Sequence, residues 1–183
     1  MMSKKYFFSI MAVYFLIAIN TKAQDKYFTK DGKITFEAVH HGDIHAISRS
    51  AAVIFNTATG EFQFTILIKS FEFEKAYMQE KFNQKILETD QFPKAEFKGI
   101  MNNASSINYQ KDGDYPVEVK GNLTLHGVAN EITVKGTLSI RKASLVAKST
   151  FNVSIDNYNI PNPGIGNGNI EITVDCHLEQ MKN

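Results

Sequence analysis

The side chains best equipped for chemistry in this 183-residue chain are few, and their spacing decides what they can do. His40, His41, Asp43 and His45 crowd one short stretch and offer donor types that suit zinc or copper. Along an extended backbone His40 and His41 point to opposite faces, and Gly42-Asp43 reads as a turn. A closed ligand set would need His126 or His177 from far along the chain. The stretch therefore reads as solvated turn residues, and no metal ligands are assigned. Cys176, the single thiol, alternates with Ile172 and Val174, which places it on the apolar face of a strand as a small buried hydrophobe. Glu72 and Glu74 alternate with Phe71 and Phe73 and read as the wet side of a strand end, not as a paired acid and base. No short motif sets a nucleophile beside a base. The glycine-rich stretch 162–168 precedes a strand and not a helix, so it makes no phosphate cradle. Asn-X-Ser/Thr triplets begin at Asn103, Asn122 and Asn152, two of them inside expected strands where a glycan would be awkward. No residue is assigned a catalytic role.

What would position these groups is a run of strands. From Ile34 to Leu178 apolar and polar residues alternate with a period of two: Ile132, Val134, Leu138 and Ile140 take one face, Glu131, Thr133, Lys135 and Arg141 the other. Turn residues divide the pattern into eight strands, at 33–40, 47–56, 61–69, 95–102, 117–126, 131–142, 145–156 and 169–179. Short connections suit antiparallel neighbours. Over 74–88 the rhythm changes: Met78, Phe82 and Ile86 recur every four residues, which predicts one amphipathic helix lying across an opening or edge of the sheet, as a plug or a ligand lid. The apolar phase is present on every strand and none reads as a blunted edge. The expected fold is thus all-β, an eight-stranded antiparallel barrel with one helix.

The first residues read as an address. Lys4 and Lys5 precede an apolar run from Tyr6 to Ile19, and Thr21 and Ala23 are small residues ahead of Gln24, the layout of a secretory signal peptide cleaved near Ala23. The run is short for a membrane span, and Gln24 excludes lipidation of a new amino-terminal cysteine. One domain, 24–183, is expected to remain, periplasmic or secreted and without stable membrane insertion. Removing the leader takes away Lys4, Lys5 and Lys22 and no acid from 20 basic and 19 acidic residues, leaving 17 against 19. Nucleic acid is not an expected partner, since phosphate binding needs a basic stripe.

An eight-stranded barrel is near the size at which its interior either fills with side chains or keeps room for one small elongated molecule. The inward phase offers Phe62, Phe64, Ile66 and Ile68 on one strand and Phe151 and Val153 on another. Three further strands give Phe97 and Gly99, then Val119, Gly121 and Leu123, then Val134, Gly136 and Leu138. With Ala38, Ala95, Ala147 and Ser149 also inward, much of the lining contributes little volume. Mid-strand glycine has two readings, one as space for a ligand and one as relief for a strongly coiled strand. A tunnel bordered by Met78 and Phe82 and a conventionally packed core both fit the pattern.

Two stretches, Ile68-Lys-Ser-Phe-Glu-Phe-Glu-Lys-Ala-Tyr-Met-Gln-Glu-Lys-Phe-Asn-Gln84 and Glu88-Thr-Asp-Gln-Phe-Pro-Lys-Ala-Glu-Phe-Lys-Gly99, closely resemble the YceI-like family of exported lipid-binding proteins. Gly121-Asn-Leu-Thr-Leu-His-Gly-Val128 resembles that family's turn between two long strands. The resemblance implies an extended lipocalin-like barrel whose hydrophobic tunnel holds a polyisoprenoid or another fatty amphiphile, with no cofactor. It departs from the family pattern at Lys81, where histidine is usual, in having no tryptophan, and around His40–His45. The expected function is non-enzymatic binding, transport or storage of such a molecule. Alternatives are a lipocalin-like enzyme acting on a lipid through His126 or His177, and a filled barrel serving as a stress-related interaction module. Nothing in the sequence decides whether two copies pair as a homodimer.

Overall fold

The computed structural model describes residues 26–38, 44–142, 144–162 and 168–181. The expected signal peptide, His40, His41, Gly42, Asp43 and most of the glycine-rich stretch lie outside the described residues. The strands are β1 (Lys26–Ala38), β2 (His45–Asn56), β3 (Glu61–Leu67), β4 (Glu72–Phe73), β5 (Lys94–Met101), β6 (Gly113–Leu125), β7 (Val128–Arg141), β8 (Ser144–Ser154) and β9 (Asn169–Gln180), with helix α1 at Ala76–Lys81. Neighbours run β1-β9-β8-β7-β6-β5-β3-β2, and β1 also pairs with β2, so eight antiparallel strands close into the expected barrel. The two-residue β4 adds to the start of β2. Among the described residues no helix is long and apolar enough to cross a membrane.

β6 begins at Gly113 and β7 at Val128, ahead of the expected 117 and 131, and two further elements depart more from the pattern reading. β1 begins at Lys26, not at residue 33. Lys30-Asp31-Gly32 looks like a turn, but the ladder absorbs it as register shifts between Thr29 and Ile34. Gly32 is needed there, because a Cβ would come within 2.6 Å of the Cys176 sulfur. The helix expected over 74–88 is α-helical for six residues and then widens into a π turn at Phe82–Ile86, with the Leu87 N–H donating to the Phe82 carbonyl at 2.9 Å. That wider turn lets Phe82 and Leu87 both be buried against the barrel, which a regular 3.6-residue period does not allow at that spacing.

The strand directions give the barrel two unlike ends. At the end bearing the β2–β3, β5–β6 and β7–β8 connections the interior is filled: Phe55, Met101, Leu138, Ile140, Leu145 and Leu178 are all within 1 % of complete burial. Each such side chain contributes about 1.5–3 kcal/mol on leaving water. Phe55 stacks on Phe62 with centroids 4.1 Å apart, and the Tyr109 hydroxyl donates to the Ala104 carbonyl at 3.0 Å. Cys176 is fully buried here, as its alternation indicates. The opposite end carries α1, the His126-Gly127 turn and the 3₁₀ turn Ile155–Tyr158.

Candidate functional site: an apolar cavity in the helix-capped half

Toward the helix-capped end the strands line a partly open apolar cavity of about 320 Å³. Phe62, Phe64, Ile66 and Ile68 line it from β3 and the turn that follows, and Phe97 from β5. Val119 and Leu123 reach it from β6, Val134, Gly136 and Leu138 from β7, and Phe151 and Val153 from β8. Met78 and Phe82 border it from the helical segment. The alternation therefore brings these inward residues together, and the small side chains of Ala95, Ala147 and Ser149 leave the space they share.

Gly99 and Gly121 are the exceptions, because they are not among the residues that line the cavity. They face one another across the β5–β6 ladder, where a Cβ on Gly121 would lie 2.3 Å from the Lys98 carbonyl oxygen and 2.4 Å from the Gly99 Cα. Their role is close backbone approach in a coiled sheet, the second of the two readings open for mid-strand glycine. A larger residue at Gly121 would strike the wall and not fill the cavity.

The cap is held by aromatic contact. Phe82 stacks on Phe36 at 5.2 Å and meets Phe73 at 4.8 Å, while Phe71 packs edge-on against Phe36 at 5.1 Å. Phe36, Phe71 and Phe73 line the cavity too. Their alternation with polar residues was legible, but not the folding of 71–73 over the barrel mouth. Ile160 also lines it from an irregular segment that carries no periodic signal.

Polar groups at the cavity are sparse. Glu96 pairs with Lys94 at 3.0 Å and Lys148 with Asp175 at 3.3 Å. Lys81, exposed at the end of α1, borders the cavity with no ion pair to a described residue. The Ser149 hydroxyl is already donated to the Lys135 carbonyl at 2.6 Å.

His126 and His177 do not converge. His126 occupies the β6–β7 turn with φ +50°, followed by Gly127 at +74°, the paired left-handed conformation of a tight hairpin. Its ring lies between the Glu88 carboxylate (3.1 Å) and the Tyr158 carbonyl (3.3 Å), against Phe92, and so ties three connections of the capped end together. His177 is exposed beside Asp175, 3.6 Å away, on the part of β9 that pairs with the start of β8 near the filled end. His45 stands 3.6 Å from Glu37 on the outer surface. Among the described residues no three His, Cys, Asp or Glu side chains form a group that could hold a metal ion.

Such a lining can exclude water from a hydrocarbon. Among solved structures the chain is similar to a polyisoprenoid binding domain from Saccharophagus degradans implicated in plant cell wall breakdown, at 13% identity, TM-score 0.71, covering 86% of this chain and 99% of that one. It is similar to BcnA of Burkholderia cenocepacia, at 18% identity and TM-score 0.61 over 84% and 94% of the two chains. The YCEI protein of Campylobacter jejuni matches at 15% identity and TM-score 0.54 over 73% and 81%. At these identities the likeness is one of fold. No curated protein matches at the level of sequence. The YceI-like domain family model, however, matches residues 25–179, nearly the whole barrel, and the chain belongs to that family.

Proposed function

We propose that the protein binds one long-chain amphiphile, a polyisoprenoid or a fatty chain, without chemical change, and carries or stores it outside the cytoplasm. The observation that carries this reading is the cavity itself: about 320 Å³ walled by apolar side chains, in the size range of small-molecule sites. Phe64, Ile66, Phe97, Phe151 and Ile172 are only partly buried and present apolar surface to that space. Each methylene transferred there contributes about 0.8 kcal/mol, so ten supply about 8 kcal/mol before the penalty for ordering the chain. No dedicated polar recognition is required for useful affinity.

Lys81 adds direction. It is the charged lining residue left without a described partner, so a carboxylate or phosphate head group fits beside it with the tail extending along β3, β5 and β8. The polyisoprenoid-binding relative and the secretory leader expected at residues 1–23 support the same reading. Protein purified from an export-competent host, extracted with organic solvent and examined by mass spectrometry, is expected to yield a long-chain compound in a one-to-one ratio. Repeated extracts without one, together with no uptake of an added long-chain fatty acid, would overturn the proposal.

A further inference from the structure

The barrel wall is incomplete between β7 and β8. Their ladder runs from Arg141–Ser144 to Gly136–Ser149 and stops there, although β7 extends back to Val128 and β8 on to Ser154. On their other sides both strands stay paired, β7 with β6 as far as Val128–Leu125 and β8 with β9 as far as Ser154–Asn169. Residues 131–135 and 150–154 thus border a slit with no ladder across it. Where β2 outruns β3, by contrast, β4 pairs with Ala46 and Ile47 and the Ser70 hydroxyl meets that of Ser48 at 2.8 Å.

Three contacts frame the slit. Gly136 lies so close to β8 that a Cβ would come within 2.4 Å of the Lys148 carbonyl oxygen, which pins the strands where the ladder ends. Immediately beyond, the Ser149 hydroxyl takes the Lys135 carbonyl, replacing a backbone partner with a side chain. At the far end the Asn130 amide donates to the Asn157 carbonyl at 2.7 Å, bracing β7 against the 3₁₀ turn after β8. The charged and hydroxyl groups of the outer rim are drawn away from the gap: Glu131 pairs with Lys120 (3.0 Å) and Lys135 with Glu118 (3.9 Å) on β6, and Thr150 meets Thr173 (3.3 Å) on β9. The inner rim is apolar, since Ile132, Val134, Phe151 and Val153 all line the cavity.

The geometry points to a side port: the hydrocarbon chain moves in and out of the cavity between β7 and β8. This rests on the amphiphile reading above. The slit already lacks the ladder hydrogen bonds that would have to break for strands to part, and its rims offer apolar surface inward. Passage through the filled end would displace Leu138, Ile140, Leu145 and Leu178. Passage under the cap would lift Phe82 off Phe36.

The test bridges the slit. Thr133 and Asn152 are exposed and face each other by continuation of the β7–β8 register, and Cys176 is buried beyond reach of reagent. The Thr133→Cys/Asn152→Cys variant is loaded with cis-parinaric acid, linked with a short bis-maleimide, and its release to lipid vesicles followed by fluorescence. Linked protein is expected to release at least tenfold more slowly than the same variant unlinked, with each single-cysteine variant capped by a maleimide releasing at the parent rate. Equal release rates before and after linking would overturn the side port while leaving the amphiphile reading intact. Failure of the unlinked protein to take up the probe at all would overturn both.

Discussion

Cys176 shows how strongly surroundings fix what a residue can do. Burial, and after it the charges of Asp175 and Asp31, push its thiol up to about 12, so almost no thiolate forms near neutral pH. Iodoacetamide at pH 8 is expected to leave it unmodified in the folded protein and to alkylate it fully in denaturant, as a mass shift would report. Tyr109, raised to about 12 mainly by burial, behaves alike. Both groups hold their protons more tightly folded than unfolded, where the ordinary values are 9.0 and 10.0. The stability they contribute is complete below about pH 9 and is lost as pH rises toward 12. Denaturant midpoints should therefore fall between pH 8 and pH 11. Lys81 makes the complementary case for a group at the cavity with no ion pair to a described residue. Lys81→Glu is expected to weaken binding of a long-chain carboxylate about tenfold, roughly 1.4 kcal/mol, and to leave the corresponding alcohol unaffected in a fluorescence titration.

The cap is an element that cannot stand by itself. α1 has six residues and no side-chain N-cap, too short to persist in water without tertiary contacts. Phe82 supplies them through Phe36, Phe71 and Phe73. Phe82→Ala should remove about 3–5 kcal/mol, read as a lower denaturant midpoint, and expose α1 to proteolysis before the strands. The strands themselves were plain in the sequence because a half-buried strand must alternate; β3 and β5–β9 obey that rule, and β2 obeys it on either side of a phase change between Ser48 and Ala51, where its register with β1 shifts. The start of β1 was hidden because Lys30-Asp31-Gly32 resembles a turn until Gly32 is seen packed over Cys176. The π turn was hidden because the four-residue spacing of Met78, Phe82 and Ile86 implies a regular helix. Most of the cavity lining was readable as the inward phase. The role of Gly99 and Gly121 was not, since close strand approach and vacant space ask for the same missing side chain.

At the scale of the whole molecule the barrel divides its labour along its axis. The filled end, with Leu138, Ile140, Leu145 and Leu178 fully buried, holds the strands together, which allows the other half to keep a cavity and a gap in its wall. This division has a signature in amide hydrogen exchange. In an antiparallel ladder alternate amides point to opposite neighbours, so in 131–135 of β7 those directed at β6 stay bonded while those directed at β8 meet the slit. Amides of Leu138–Ile140 and Leu145–Ala147 should exchange only with global unfolding, whereas the slit-facing amides of 131–135 and 150–154 should exchange orders of magnitude faster. An amphiphile in the cavity stabilises the native state by mass action and is expected to slow exchange at the slit more than at the filled end. Uniform protection along β7 without ligand would mean that the wall is closed in solution. Protection that rises at the slit alone would tie ligand occupancy to the strand edges that border it.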